Sequence, residues 1–165
     1  MAGARSLKAR ALQMLAQRDQ SRVELRAKLL RHARRQATED CGDTAAATGD
    51  HEGDPSSEIE TLLDWLEAHD YLCMARFTES RVHARESRFG NLRIRQELAR
   101  HEASLSPEAD NALRDSEYQR ACDVRARRFA EWPATASGRA AQSRFLAGRG
   151  FSAEVIHRVM RRALR

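Results

Sequence analysis

The chain has 165 residues, 41% apolar, only 5% aromatic and 32% charged; this balance excludes a large aromatic core and suits long, solvated helices. The net charge of +5 is unevenly spread. Residues 1–36 carry ten Lys/Arg against two acidic residues, residues 37–70 carry eleven acidic residues and no Lys/Arg, and residues 71–165 carry nineteen Lys/Arg against eleven acidic residues. Such a basic–acidic–basic chain points to polyanionic or acidic partners, and with Ile59, Ile94 and Ile156 as its only isoleucines it excludes a sheet.

In the first third, Leu7, Ala11, Met14 and Leu15 form a helical stripe, as do Leu25 and Leu29, and then Ile59, Leu62, Leu63 and Leu66. Helices are expected over 5–18, 21–32 and 56–69. Between the last two, residues 34–57 are rich in Asp, Gly, Thr and Ala and hold no large apolar residue. That composition cannot offset the entropy of ordering, so a flexible acidic insert is expected. It could dock on the basic faces, but a passive linker is the simpler expectation.

The middle third predicts helices over 73–88, 90–101 and 106–116, with Ile94 and Leu98 as a stripe. The last third predicts them over 117–131, 138–148 and 152–164, the final one carrying Val155, Ile156, Val159 and Met160. The thirds align on Leu29, Leu98 and Leu146. Eight residues before these stand Ser21, Gly90 and Gly138, all acceptable N-cap types; four residues after them stand Ala33, Glu102 and Gly150. The following helices each open on serine, then glutamate, then an apolar residue: Ser57-Glu58-Ile59, Ser106-Pro107-Glu108-Ala109 and Ser152-Ala153-Glu154-Val155. Pro107 fits the first helical position and the glutamates complement the N-terminal dipole. Gly150-Phe151 reads as a left-handed cap with its hydrophobic contact. The expected architecture is therefore all-α, with three tandem three-helix repeats over 1–72 (interrupted by the 34–57 insert), 73–116 and 117–165, stacked into an elongated, curved array.

Chemistry is sparse. There is no glycine-rich phosphate loop, HExxH, nucleophile elbow or CxxC, so no enzyme, cofactor or metal is expected. Cys41, Cys73 and Cys122 are too scattered for a disulfide framework and read as free thiols of a reducing compartment. No apolar run approaches the ~18 residues of a membrane span, and the basic N-terminus leads into no apolar segment. A cytoplasmic monomer is expected. The positive signal is cationic. Arg81, Arg85, Arg88, Arg93, Arg95 and Arg100 crowd the middle third, and Arg125, Arg127, Arg128, Arg144 and Arg149 follow. Guanidinium forks bind carboxylate and phosphate bidentately, so these residues, Arg127 apart, are the candidate partner-binding faces. Trp65, Trp132 and the five phenylalanines sit mostly at core spacing.

In the middle third, Phe77, Val82, Arg85 and the run Arg88-Phe89-Gly90-Asn91-Leu92-Arg93-Ile94-Arg95-Gln96-Glu97-Leu98 resemble the central pattern of the RecX family of recombinase regulators. Ala11-Leu12, Leu15, Arg18, Ser21, Glu24-Leu25 and Lys28-Leu29 resemble its opening pattern. Trp65-Leu66 with Tyr71-Leu72 resemble the end of its first repeat, and Phe145-Leu146, Arg149-Gly150-Phe151 and Ile156 its closing pattern. The chain departs from the family at Ala33, Asp70 and Glu102, where glycine is common, at Cys73-Met74, where an acidic pair is common, and in the length of its insert. The resemblance implies three three-helix repeats forming a curved rod. It also implies a partner, the RecA–single-stranded DNA filament, bound in its helical groove, with inhibition of RecA's ATPase, strand exchange and coprotease activity in recombinational DNA repair and the SOS response. It brings no catalytic residue or cofactor. The alternative is a helical protein that binds DNA directly, inserting short helices as helix-turn-helix modules do. Weak, steeply salt-dependent DNA binding would favour the first reading, and tight, base-specific binding the alternative.

Overall fold

The computed structural model describes residues 6–40 and 55–162; much of the acidic segment, with Cys41, lies outside them. Eight helices and no strand occur among the described residues. They form two compact units divided between Phe77 and Thr78.

The first unit contains α1 (Leu7–Gln17), α2 (Arg22–Asp40) and α3 (Pro55–Ala68), with α2 packed on both others. Ser6 and Ser21 start the first two helices, their Oγ atoms accepting from the N–H of Ala9 (3.3 Å) and Glu24 (3.0 Å). The expected stripes close one core: Ala11, Leu25, Leu29, Ile59, Leu63, Leu66 and Leu72 are buried, with Leu7, Met14, Leu15 and Leu62 against them. Two boundaries differ from expectation. α2 does not stop at 32 but runs seven residues into the segment read as flexible, because Ala33, a strong helix former, stands where a glycine would end the helix. Within the extension Thr38 donates to the carbonyls of Arg34 and Arg35. α3 starts at Pro55, so Ser56 and Ser57 lie in its first turn, where proline's fixed φ and missing N–H cost nothing.

The boundary between the units falls inside α4 (Met74–Glu86). The second unit continues with α5 (Asn91–Ala99), α6 (Pro107–Arg128), α7 (Ala136–Gly148) and α8 (Ala153–Arg162). α6 packs on α5, α7 and α8, and α7 packs on α8. Ala121, Val124, Leu146, Phe151, Val155, Val159 and Met160 form one core, and Ile94, Leu98 and Leu113 a second.

Two expectations are corrected here. The helices read as 106–116 and 117–131 are one continuous helix, because the junction Arg114-Asp115-Ser116-Glu117-Tyr118 holds neither glycine nor proline to stop it. Gly138 is not an N-cap: Thr135 is, its hydroxyl accepting from the Gly138 N–H at 3.1 Å. The other caps hold. Gly90 precedes α5, Ser106 accepts from Ala109 N–H (3.2 Å) ahead of Pro107, and Ser152 accepts from Val155 N–H (3.4 Å).

Three helices end in the same way. At Gly150 (φ 81°), Asp70 (φ 57°) and Glu102 (φ 55°) the chain turns left-handed. The next residue's N–H then donates back five positions in a Schellman closure: Phe151 to Leu146 O (3.2 Å), Tyr71 to Leu66 O (2.9 Å) and Ala103 to Leu98 O (3.1 Å). The glycine-free departures Asp70 and Glu102 thus keep a glycine's geometry.

Candidate functional site

The turn Phe89-Gly90 between α4 and α5 is fixed by an unusually close backbone approach. Gly90 N–H donates to Arg149 O and Leu92 N–H to Gly150 O, both at 3.0 Å. A Cβ on Gly90 would lie 2.3 Å from Gly150 O, and one on Gly150 would lie 2.5 Å from Arg93 Cβ. Only glycines allow the start of α5 to rest on the end of α7 in this way.

Beneath this seam lies a buried carboxylate. Glu117 of α6 is 5% exposed. It accepts from Asn91 N–H (3.1 Å) and from both the N–H and the hydroxyl of Ser152 (3.2 Å each), so one carboxylate serves the N-termini of α5 and α8. One turn on, Arg120 donates to the carbonyls of Phe89 (2.9 Å), Leu113 (2.8 Å) and Glu86 (3.2 Å) and to Asn91 Oδ1. Burial lowers the Arg120 pKa, opposed by the charges of Glu117 and Glu86. Neither residue was singled out from the sequence. The available signal was Glu117 itself, a carboxylate on the stripe Leu113, Ala121, Val124 where an apolar side chain belongs.

This scaffold gathers arginines around one ring. The guanidinium carbons of Arg93, Arg149, Arg85 and Arg88 lie 4.7, 5.6, 5.8 and 5.9 Å from the Phe89 centroid, within cation–π range. Arg93 also donates to Gly148 O (3.3 Å), which orients it. Arg85 and Arg81 share Glu97, at 3.0 and 3.4 Å. Beside the cluster opens a cleft of about 640 Å³ lined by Arg85, Arg93, Arg100 and His101, with Leu92 at 51% exposure. The arrangement can hold oxyanions against an exposed apolar side chain, as an acidic protein surface or a phosphate chain would present them.

The other sequence-derived candidates fall elsewhere. Arg95 is committed to Asp110 (2.5 and 3.0 Å), which Arg114 also reaches; the Arg95 hydrogen bond, ahead of burial acting in the opposite sense, holds the Asp110 carboxyl below its usual range. Arg125 is buried, donating to Gln142 Oε1 (2.9 Å) and to the Glu131 carbonyl and lying 3.9 Å from the Trp132 centroid, so it serves the fold rather than the surface. Burial lowers its pKa. Arg128 is exposed near Phe129 (5.9 Å) and Arg144 is exposed on α7. Among the aromatics, Phe77 and Phe151 are buried, whereas Trp132 is 39% exposed under Arg125.

Fold and surface together define an all-helical scaffold that presents arginines in a supported array. Among the described residues no helix is long and apolar enough to cross a membrane. A family model described as "RecX, third three-helix domain" matches residues 115–160. The "Regulatory protein RecX" of Leptothrix cholodnii is 44% identical over 96% of this chain and 89% of its own length. Those of Ralstonia nicotianae and Herminiimonas arsenicoxydans are 42% and 43% identical, covering 96% and 94% of this chain and 88% and 91% of theirs. The chain belongs to the RecX family of regulatory proteins.

Proposed function

We propose that this protein is a non-catalytic regulator that binds in the groove of the RecA–single-stranded DNA filament and restrains RecA's ATPase, strand exchange and coprotease activity. Family membership across nearly the whole chain carries the reading. The arginine array around Phe89 supports this part of the second unit as the contact surface. It presents charge on a backbone seam too tight to deform, and preorganised donors lose little entropy on binding. Of the ten candidate arginines, Arg88, Arg93, Arg100 and Arg149 are the proposed principal contacts, with Arg128 and Arg144 accessory. Arg81 and Arg85 act from beside Glu97, while Arg95 and Arg125 hold the fold. The repeat division 1–72, 73–116 and 117–165 belongs to the same proposal. It is supported by the capping that α5 and α7 share at their C-termini.

The test is RecA's single-stranded-DNA-dependent ATPase with added protein, together with filament binding. Wild type is expected to inhibit. Arg88→Glu with Arg93→Glu is expected to weaken binding about tenfold or more, because reversed charges meet the same acidic partner, without lowering Tm. An ATPase indifferent to the wild-type protein defeats the reading; full affinity in the double variant defeats this surface.

A further inference from the structure

The first unit holds a basic cavity that the arginine surface of the second does not involve. Between α1 and α2 lies an open hollow of about 530 Å³ whose lining includes Arg10, Lys28, Arg31, His32, Arg34 and Arg35. Two of its nitrogen atoms, Arg10 Nε and His32 Nε2, are buried without a hydrogen-bond partner. An arginine Nε always carries a proton, and a buried donor left unpaired costs roughly 1–3 kcal/mol. Arg10 Nε is therefore a donor facing this hollow with no protein acceptor, and His32 Nε2 adds a second unpaired polar atom whose role follows the ring tautomer. The neighbouring carboxylate does not supply an acceptor: Glu24 is engaged by Arg18 and by Lys28 at 3.0 Å. Among the described side chains, Arg10, Arg31, Arg34 and Arg35 pair with no carboxylate.

We infer that this cavity is a binding site for the phosphate backbone of a nucleic acid. Arg31 and Arg35 stand one turn apart on α2, about 6 Å along its axis, and both are exposed. They continue outward the charge that Arg10 holds inside. A phosphodiester chain repeats its charge at regular short intervals and accepts bidentately from guanidinium at each, which suits cations so arrayed. No Phe, Tyr or Trp lines the cavity, and its cations suit backbone phosphates rather than base edges, so the site contacts backbone without reading sequence. The inference needs no recombinase and stands or falls apart from the proposed function.

The experiment is fluorescence anisotropy of a labelled oligothymidylate with the full chain, titrated from about 50 to about 200 mM NaCl. Arg31→Gln with Arg35→Gln is expected to weaken binding roughly tenfold at the low-salt end. It should also reduce the slope of log K against log salt by about 1.4, two single-strand contacts at about 0.7 each. Arg127→Gln with Arg161→Gln removes the same charge from exposed positions of the second unit and is expected to change neither. A mixed-sequence oligonucleotide is expected to bind as the thymidylate does. Arg10→Gln tests the buried donor, with circular dichroism monitoring the helices; should it unfold, the exposed Arg31 and Arg35 pair still decides. Three results overturn the inference: unchanged affinity in the Arg31 and Arg35 variant, an equal loss in the Arg127 and Arg161 variant, or displacement of DNA by charge-matched poly-glutamate as readily as by unlabelled DNA.

Discussion

One face of the first unit and one face of the second use arginine in opposite ways. In the first, Arg22 of α2 meets Glu60, Asp64 and Glu67 of α3 at 2.8, 2.7 and 2.8 Å, and Arg26 reaches Glu60 as well. The three carboxylates share a face of α3 because they recur at i, i+4 and i+7, and their charge is consumed within the unit. In the second, the ring of Phe89 stands where those carboxylates would, and the guanidinium groups of Arg88, Arg93 and Arg149 stay open to a partner. Arginine content alone therefore does not mark a binding face; the charge of the facing element decides. The units also differ in where their charge is buried. The Arg22 and Arg26 pairs of the first lie at or near the surface, whereas in the second Glu117 is buried and Arg120 half-buried, and the two tie together elements distant in sequence.

The largest expected effect tests that last difference. Glu117→Ala strands the N–H groups of Asn91 and Ser152 and leaves the half-buried Arg120 without its compensating charge; roughly 3 kcal/mol or more of stability is expected to be lost. Glu60→Ala in the first unit is expected to cost far less, because its pairs are exposed. Each unit carries one tryptophan, Trp65 in the first and Trp132 in the second. Urea unfolding in Trp65→Phe and Trp132→Phe backgrounds therefore reads the units separately. Similar losses for the two glutamates would break the contrast.

The pattern of what the sequence revealed follows from range. Stripes such as Ile59, Leu63, Leu66 and Val155, Val159 announced the cores because helical periodicity is local, and Ser106-Pro107 announced a helix start because its acceptor and donor are three residues apart. The arginine cluster was only half legible. Arg85, Arg88 and Arg93 are near Phe89 in the chain, but Arg149 joins them through a seam some 60 residues away. Arg95 and Arg125 looked equivalent to the others, because nothing local marks Asp110 or Gln142 as their partners. Gly138 drew the cap assignment that Thr135 holds, since both residue types are acceptable caps and only the backbone path chooses between them.

A smaller effect, of opposite sign, sharpens the comparison at the helix ends. Gly150 needs its left-handed backbone and is crowded by Arg93, whereas Asp70 and Glu102 hold the same conformation with side chains attached. Asp70→Gly in the first unit and Glu102→Gly in the second are each expected to add roughly 1 kcal/mol, the strain a β-carbon imposes in that region. Glycine's extra freedom in the unfolded chain offsets part of the gain. Thermal unfolding is the measurement; a lowered Tm in both variants would show that the turns are unstrained.

The smallest effect concerns acid and salt, and it separates the units without mutation. Hydrogen bonds from Arg26 and then Arg22 hold the Glu60 carboxyl below its ordinary value of 4.5, and the Arg22 guanidinium is held above its own ordinary range, chiefly by Glu60. A carboxylate with a depressed folded-state pKa stabilises fully above its unfolded value, and the contribution is lost as pH falls through the folded one. The first unit is thus expected to weaken progressively below about pH 4.5, with Trp65 fluorescence reporting it. Asp110, held down by Arg95, gives the second unit the same sign, so acid alone does not distinguish them. Salt does. Raising NaCl to about 1 M shrinks the Debye length to about 3 Å and screens the exposed Arg22 network, while the enclosed hydrogen bonds of Glu117 are shielded from it. The Trp65 transition is expected to shift to lower urea relative to the Trp132 transition, and a shift confined to Trp132 would reverse the assignment of exposed and enclosed charge.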